Sequence, residues 1–433
     1  MKKHRWRLAS HAVAMQARVL GAVLGVVHAM AGAQAATPEP LPLAACIDAL
    51  RRELPQNPSV RTETFDAQTR VAQDLRPVIR AATESQPEFR LAVWDYIARL
   101  VDSQRIADGK AVLMAQAIPL EAITARRGVD AATVVAVFGV ETDYGKVEGR
   151  YSVVDATLSR ACLDMKSKER KRHFFAALWL LQQGVVQAET FRGSWAGAFG
   201  LTQFMPGTFV TYMDSVEGSA MVDIVRSAPD ALATTANFVA ASGWVGGQRW
   251  GVEVTRQKGV ANARAAVERE HECLGAGASN ATGKCRTVDQ WSALGVKPVA
   301  EHGGGPGSVL PGNVQAALLA PAGDDGPAWL VTRNFQALWQ YNRADTYALA
   351  IGLLSDALRG DPPMRAMWPT DDLGLSRAEM RELQTELVRR GHGDVRVDGF
   401  DGPNTREAIR SEERSLGWSE TGRPGARLLH ALR

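Results

Sequence analysis

Leu91-Ala92-Val93-Trp94-Asp95-Tyr96-Ile97-Ala98-Arg99-Leu100-Val101 repeats apolar side chains three and four positions apart, the spacing that gathers them on one face of a helix. The pattern recurs from residue 43 to about 361. Further helices are expected over 174–186 and 229–242, the second opening with Pro229 in its first turn and stopping before Gly243. Strand-like alternation of apolar and polar residues is scarce, so the expected fold class is mainly α, with an all-helical body.

Between 259 and 326 the composition shifts to Gly, Ala and Pro, with Gly303-Gly304-Gly305-Pro306-Gly307 as the plainest loop. A strongly apolar helical pattern resumes over 329–354, which makes this stretch an insertion within a domain rather than a linker. A boundary falls at Asp361-Pro362-Pro363 through Trp368-Pro369, where prolines stop the helix. The chain thus divides into a domain over 43–361 and a small module over 371–433, with no internal repeat of fixed period.

The first 35 residues have the form of a secretory signal. Lys2, Lys3, Arg5 and Arg7 precede an apolar stretch from Val19 to Met30 and a small-residue site at Ala33-Gln34-Ala35, with cleavage expected before Ala36. That stretch is too short for a comfortable membrane span. Leu43-Ala44-Ala45-Cys46 has the form of a lipobox, but Pro38, Pro40 and Pro42 separate it from the apolar core, so a lipid anchor is the secondary reading. Without the five basic residues of this segment the formal charge falls from +3 to −2, which gives a nucleic-acid partner no electrostatic support. Four cysteines in an exported chain suit two disulfides, for which three pairings exist. Cys273 and Cys285 bracket a Gly/Ala/Ser/Asn stretch, which favours a local staple and leaves Cys46 for Cys162, although the sequence does not decide the pairing. No Cys-x-x-Cys or His-x-x-x-His spacing offers a metal site.

Chemistry concentrates in two stretches. Val134-Val135-Ala136-Val137-Phe138-Gly139-Val140 leads into Glu141, and apolar surroundings disfavour a carboxylate's charged form, so Glu141 is expected to hold a proton nearer neutral pH, as a general acid must. About fifty residues on comes Gly193-Ser194-Trp195-Ala196-Gly197-Ala198-Phe199-Gly200-Leu201-Thr202-Gln203-Phe204-Met205-Pro206. Its small residues would let backbone approach a ligand closely, while Ser194 and Gln203 supply hydrogen-bonding groups. Each residue has a plainer reading. A glutamate after an apolar run commonly ends a helix in solvent, Ser194 could cap a helix, and Tyr341 and Tyr347 could be core aromatics. Asp143 lies two residues from Glu141 and points away on a helix, and Asp155 reads as a cap before one.

Taken with Trp339-Gln340-Tyr341-Asn342, Trp94-Asp95-Tyr96-Ile97 and Arg105-Ile106-Ala107, these stretches resemble the B-type lytic transglycosylases of bacterial cell walls over roughly 46–358. The resemblance implies a lysozyme-like domain that cuts the bond between N-acetylmuramic acid and N-acetylglucosamine in peptidoglycan, without a cofactor. Most glycosidases use two carboxylates; this family uses one, so Glu141 would serve as acid and then base. The sugar's acetamido group would assist, giving a 1,6-anhydro product. Ser194, Gln203, Tyr341, Asn342 and Tyr347 would bind substrate. Arg170-Lys171-Arg172 falls where the family has cleft arginines, making Lys171 a further candidate. Family members often carry an acidic loop after the Met-Pro pair, in some cases binding calcium; here Asp214, Glu217 and Asp223 stand among neutral residues, so no cation is expected.

The C-terminal segment resembles a small three-helix peptidoglycan-binding module, through Leu383-Gln384-Thr385-Glu386-Leu387, Val397-Asp398-Gly399-Phe400-Asp401-Gly402-Pro403-Asn404-Thr405-Arg406 and Thr421-Gly422. Glu412-Glu413 replaces the usual aromatic-glutamine pair. The implied partners are peptidoglycan glycan strands, with wall-synthesis or remodelling proteins as further candidates, and the implied place is the periplasm. A water-admitting muramidase and a non-catalytic wall-binding scaffold are the alternatives.

Overall fold

The computed structural model describes residues 41–84, 86–218, 221–257, 273–274, 285–299 and 310–433. The expected signal segment and most of the Gly-rich stretches lie outside them. Among the described residues no helix is long and apolar enough to cross a membrane.

The body is built around a helix, Ala131–Thr142, that is apolar on every side and therefore must be covered on every side. Asp130 caps its start by accepting from the Thr133 amide at 3.0 Å. Val134, Val135 and Ala136 have no exposed surface. The long helix Asp345–Arg359 packs along it, presenting Leu349, Ile351 and Leu354, and stops at Gly360 in a left-handed cap. A second core gathers helices Leu43–Arg51, Thr62–Arg70, Val153–Leu163 and Lys168–Gln182 around Phe65, Phe174 and Leu178. The Cys46–Cys162 disulfide staples its first helix to its third, and Cys273 pairs with Cys285.

The all-helical expectation is corrected at two places, one of them the short antiparallel pair of Tyr151–Ser152 with Arg192–Gly193. Gly251–Thr255, Arg286–Thr287, Lys297–Pro298, Gln315–Leu319 and Ala328–Val331 form a five-stranded antiparallel sheet, with the Gln315–Leu319 and Ala328–Val331 strands paired Leu318 to Leu330 and Leu319 to Trp329. Ala317, Leu319, Trp329 and Val331 face the helical core, while Ala316, Leu318, Ala328 and Leu330 face a separate small core around Trp291 and Val296. Both faces are buried, so the strands read as unbroken apolar runs. The apolar pattern expected to be helical from residue 329 therefore begins as strand, and helices start only at Arg333–Asn342.

The C-terminal module consists of helices Arg377–Arg389, Pro403–Ser415 and Ala426–Leu432 around Leu383, Leu387, Ile409 and Leu429. Glu412 and Glu413 are buried fasteners: Glu412 meets the His392 ring at 2.8 Å, and Glu413 accepts from the Gly422 amide at 2.8 Å and from the Thr421 hydroxyl. Residues 41–433 cluster as one unit, so the proline-rich boundary joins the module to the body without letting it hang free.

Candidate active site

Glu141 is the penultimate residue of the Ala131–Thr142 helix. Its carboxylate accepts a hydrogen bond from the Tyr347 hydroxyl, carried on the Asp345–Arg359 helix, so the two helices that pack most closely also bring this pair together. Tyr341 stacks on Tyr347, with ring centres 6.2 Å apart and planes 18° from parallel, and donates to the Thr202 carbonyl at 2.7 Å. Burial first, and the Glu141 charge second, push both phenols well above their ordinary range, so both stay protonated donors. Tyr341 also meets Phe204 and Phe238 edge-on, at 5.4 and 5.2 Å between ring centres. Its ring is thus committed largely to packing and to orienting its neighbours.

Glu141, Asn342 and Tyr347 line a cavity of about 300 Å³ that also takes in Arg99, Phe400 and Asp401. The last two come from the C-terminal module. Asp401 is held by Arg99 at 2.7 Å and by Arg406 at 3.0 Å.

The 193–206 segment is a tight loop against the Glu141 helix. Thr142 ties the two by donating its hydroxyl to the Leu201 carbonyl at 2.6 Å. Ser194 accepts from the Ala196 and Ala198 amides at 3.3 and 3.2 Å, so it organises a turn and does not cap a helix. Gln203 sits at φ 51° and donates to the Gly200 carbonyl at 2.8 Å. The glycines have an architectural reason beyond the expected access for sugar: a Cβ on Gly193 would stand 2.1 Å from the Ala198 carbonyl oxygen, and one on Gly200 2.7 Å from that of Ile224. Below the loop, His173 accepts from the Gly207 amide at 3.1 Å through Nδ1. Burial, aided by Arg172, pushes this imidazole down to about 4.

Lys171 is placed elsewhere. It pairs with Glu53 at 2.8 Å and lines a different cavity from that of Glu141. Asp155 lies in the first turn of the Val153–Leu163 helix, and the cap is Ser152, which accepts from the Asp155 amide. Asp214 accepts from Arg126 at 2.9 Å and Arg127 at 2.7 Å. Among the described residues no group of three or more His, Cys, Asp or Glu side chains is placed to hold a metal ion.

Asp143 does turn away from Glu141, but into a buried charge cluster rather than to solvent. Asp143 at φ 51° and Tyr144 at φ 60° end the Glu141 helix in the left-handed region. Arg377 of the module reaches the Asp143 carboxylate at 2.6 Å. Sequence reasoning assigned no role to Arg99, Arg377, Phe400 or Asp401. Arg99 reads as one more charged residue on a body helix, and the other three belong to the module, more than two hundred positions from Glu141.

The transglycosylase SLT domain family matches residues 43–356, and a peptidoglycan-binding domain family matches 376–432. The structure of SltB3 from Pseudomonas aeruginosa in complex with NAG-NAM-pentapeptide is similar over 90% of this chain and 99% of that one, at 37% identity and a TM-score of 0.64. The membrane-bound lytic murein transglycosylase B of Escherichia coli is 28% identical over 236 residues, which span 53% of this chain and 57% of that protein. Escherichia coli Slt35, solved in complex with calcium, shares the fold at 21% identity and a TM-score of 0.59, over 72% of this chain and 92% of that one. With the SLT domain, which contains Glu141 and its loop, over most of its length and a peptidoglycan-binding domain after it, the chain belongs to the B-type lytic transglycosylase family.

Proposed function

We infer that this protein cleaves peptidoglycan between N-acetylmuramic acid and N-acetylglucosamine as a lytic transglycosylase, with Glu141 as the single acid and then base. In this reading Glu141 gives its proton to the glycosidic oxygen as the bond to C1 breaks, and the sugar's acetamido oxygen stabilises C1. The resulting carboxylate takes the proton of the C6 hydroxyl as O6 closes on C1. The product is a 1,6-anhydromuramyl end, and no water is consumed. Asn342, on the cavity wall, is an acetamide partner, Tyr347 orients the Glu141 carboxylate, and Ser194 and Gln203 shape the loop against which sugars lie.

The observation that carries this reading is Glu141 at the end of an apolar helix, hydrogen-bonded by a buried phenol and opening on a cavity. A second carboxylate free to direct water would favour hydrolysis. The cavity's other carboxylate, Asp401, is instead bound by two guanidinium groups. Two disulfides support an exported protein acting in the periplasm.

The test is digestion of purified sacculi with the wild type and with Glu141→Gln, the released muropeptides being identified by mass spectrometry. Anhydromuramyl ends from the wild type and none from the variant are expected. Reducing ends would make the protein a hydrolase, and binding without products from either would make it a scaffold.

A further inference from the structure

The C-terminal module does more than touch the catalytic body. Arg377 is the first residue of the module's first helix, whose start is fixed by a Ser376/Glu379 capping box. Its side chain is 5% exposed, and the guanidinium spans two body carboxylates, donating to Asp102 through Nε at 2.7 Å and Nη2 at 3.2 Å, and to Asp143 through Nη1 at 2.6 Å. Asp102 in turn caps the Ser103–Ala115 helix by accepting from the Arg105 amide at 2.8 Å. Arg377, Asp102, Asp143 and Arg105 are each buried, and their formal charges balance.

Asp143 is the first of two successive non-glycine residues in the left-handed region, an unfavourable conformation that persists only where the surroundings impose it. Tyr144 is imposed from the body: its hydroxyl donates to the Arg105 carbonyl at 2.9 Å, and its ring fills the space over Gly109 and Gly139, where a Cβ would lie within 2.6 Å of it. The Asp143 carboxylate is imposed largely from the module. Arg105 comes within 3.4 Å of it as a charge, but Arg105 Nε and Asp143 Oδ1 make no hydrogen bond with each other or with another described group, and Lys146 stands at 3.9 Å. Arg377 supplies the short hydrogen bond. Two residues before this fastening stands Glu141, whose carboxylate must meet a glycosidic oxygen within a few tenths of an ångström to transfer its proton.

We propose that Arg377 is a positioning residue for Glu141: its buried ion pair with Asp143 fixes the left-handed end of the Glu141 helix, so that seating of the C-terminal module sets the rate of bond cleavage and not only the affinity for the wall. This rests on Glu141 being the acid. The module is then part of the catalytic unit, and displacement of its first helix lowers turnover at saturating substrate.

The test uses the full mature chain and a purified muropeptide glycan tetramer as soluble substrate, with kcat and KM measured separately for the wild type, Arg377→Ala, Arg377→Lys, Asp143→Asn, the Ala/Asn double variant and Glu141→Gln. Near-ultraviolet circular dichroism monitors the fold. Arg377→Ala is expected to lower kcat by about 10- to 100-fold with KM within about twofold. Arg377→Lys should recover part of the loss. Asp143→Asn should lower kcat too, and the double variant should be no worse than Arg377→Ala, because the two act through one contact. A folded Arg377→Ala with kcat within about twofold of wild type, or a change confined to KM, overturns the proposal. If Arg377→Ala does not fold, Arg377→Lys and Asp143→Asn decide it by the same kcat criterion. Retained activity in Glu141→Gln would instead remove the reading on which the proposal stands, whatever the Arg377 variants do.

Discussion

The cavity beside Glu141 has two walls of different construction. The body wall is made of helices, and the loop packed beside them is fastened by neutral groups: the Thr142 hydroxyl on the Leu201 carbonyl, the Tyr341 hydroxyl on the Thr202 carbonyl, and the His173 ring under the Gly207 amide. The module wall is held by charge: Arg377 on Asp102 and Asp143, Arg423 on Asp95 and Asp372, Arg99 on Asp401. Neutral contacts within the body fasten the loop beside the Glu141 helix. The charged contacts that cross from module to body, all but the Arg423–Asp372 pair, join residues more than two hundred positions apart and give a joint whose geometry is specific and whose loss leaves carboxylates stranded in the interior.

The largest effect should come from breaking the buried joint. Arg377→Ala strands Asp102 and Asp143 and is expected to cost about 3–5 kcal/mol in urea unfolding. A loss below about 1 kcal/mol would mean that the two walls are fastened alike.

Acid should separate the walls. His173, held neutral and pushed down to about 4, contributes stability that is present above pH 6.5 and is lost as pH falls toward 4, about 3 kcal/mol in all. Asp356, pushed up to about 6 by burial despite Arg359 and Arg249, works in the opposite sense: it is protonated in the fold and ionised in the unfolded chain between pH 4 and 6, so stability falls as pH rises there. The two nearly cancel in the wild type. His173→Asn should therefore become more stable as pH falls from 6 to 4, relative to wild type, in chemical unfolding at several pH values. At the joint, burial raises the Asp102 carboxyl but the Arg377 bonds win, leaving it below the usual range, so its contribution fails only as pH falls below about 4. An identical pH profile for His173→Asn and wild type would remove this distinction.

Within the body wall, Thr142→Val keeps the shape and removes the hydroxyl that serves the Leu201 carbonyl and the Gly145 amide, the latter at 3.0 Å. About 2 kcal/mol should be lost, with kcat falling because the loop shifts against Glu141. Arg423→Ala, at a joint that is about one-third exposed, should cost about 1 kcal/mol. Urea unfolding of both variants checks the order.

The two walls also differ in how far the sequence exposes them. The Glu141 helix, its loop and the Tyr341–Tyr347 helices announce themselves, because each motif is local and its apolar spacing matches its structure. The three-helix module is equally plain from its Asp-Gly loop and leucine spacing. Their joint is not, since nothing in Arg377 or Asp401 taken singly distinguishes a buried tie from a solvated helix residue. The sheet escaped for a different reason: Ala316 to Leu319 and Ala328 to Val331 are covered on both faces, which erases the alternation that marks a strand. Lys171 shows the converse case: a basic cluster at the family's cleft position made it a candidate, and in the structure it is tied to Glu53 beside a different cavity.

The smallest effect tests whether burial, rather than ion pairing as such, makes the module joint special. Arg414 pairs with Glu420 at 2.6 Å, a distance equal to that between Arg377 and Asp143, but it does so on the outer face of the module with both side chains largely in water. Solvent screens the charges, and holding two long side chains in place costs entropy, so the pair gains little. Arg414→Ala should shift Tm by less than about 1 °C and leave kcat unchanged, measured by calorimetry and on the same glycan tetramer. A shift comparable with that of Arg377→Ala would show that short guanidinium–carboxylate pairs hold this module wherever they occur. The contrast between the walls would then lie in the count of charges and not in where they are buried.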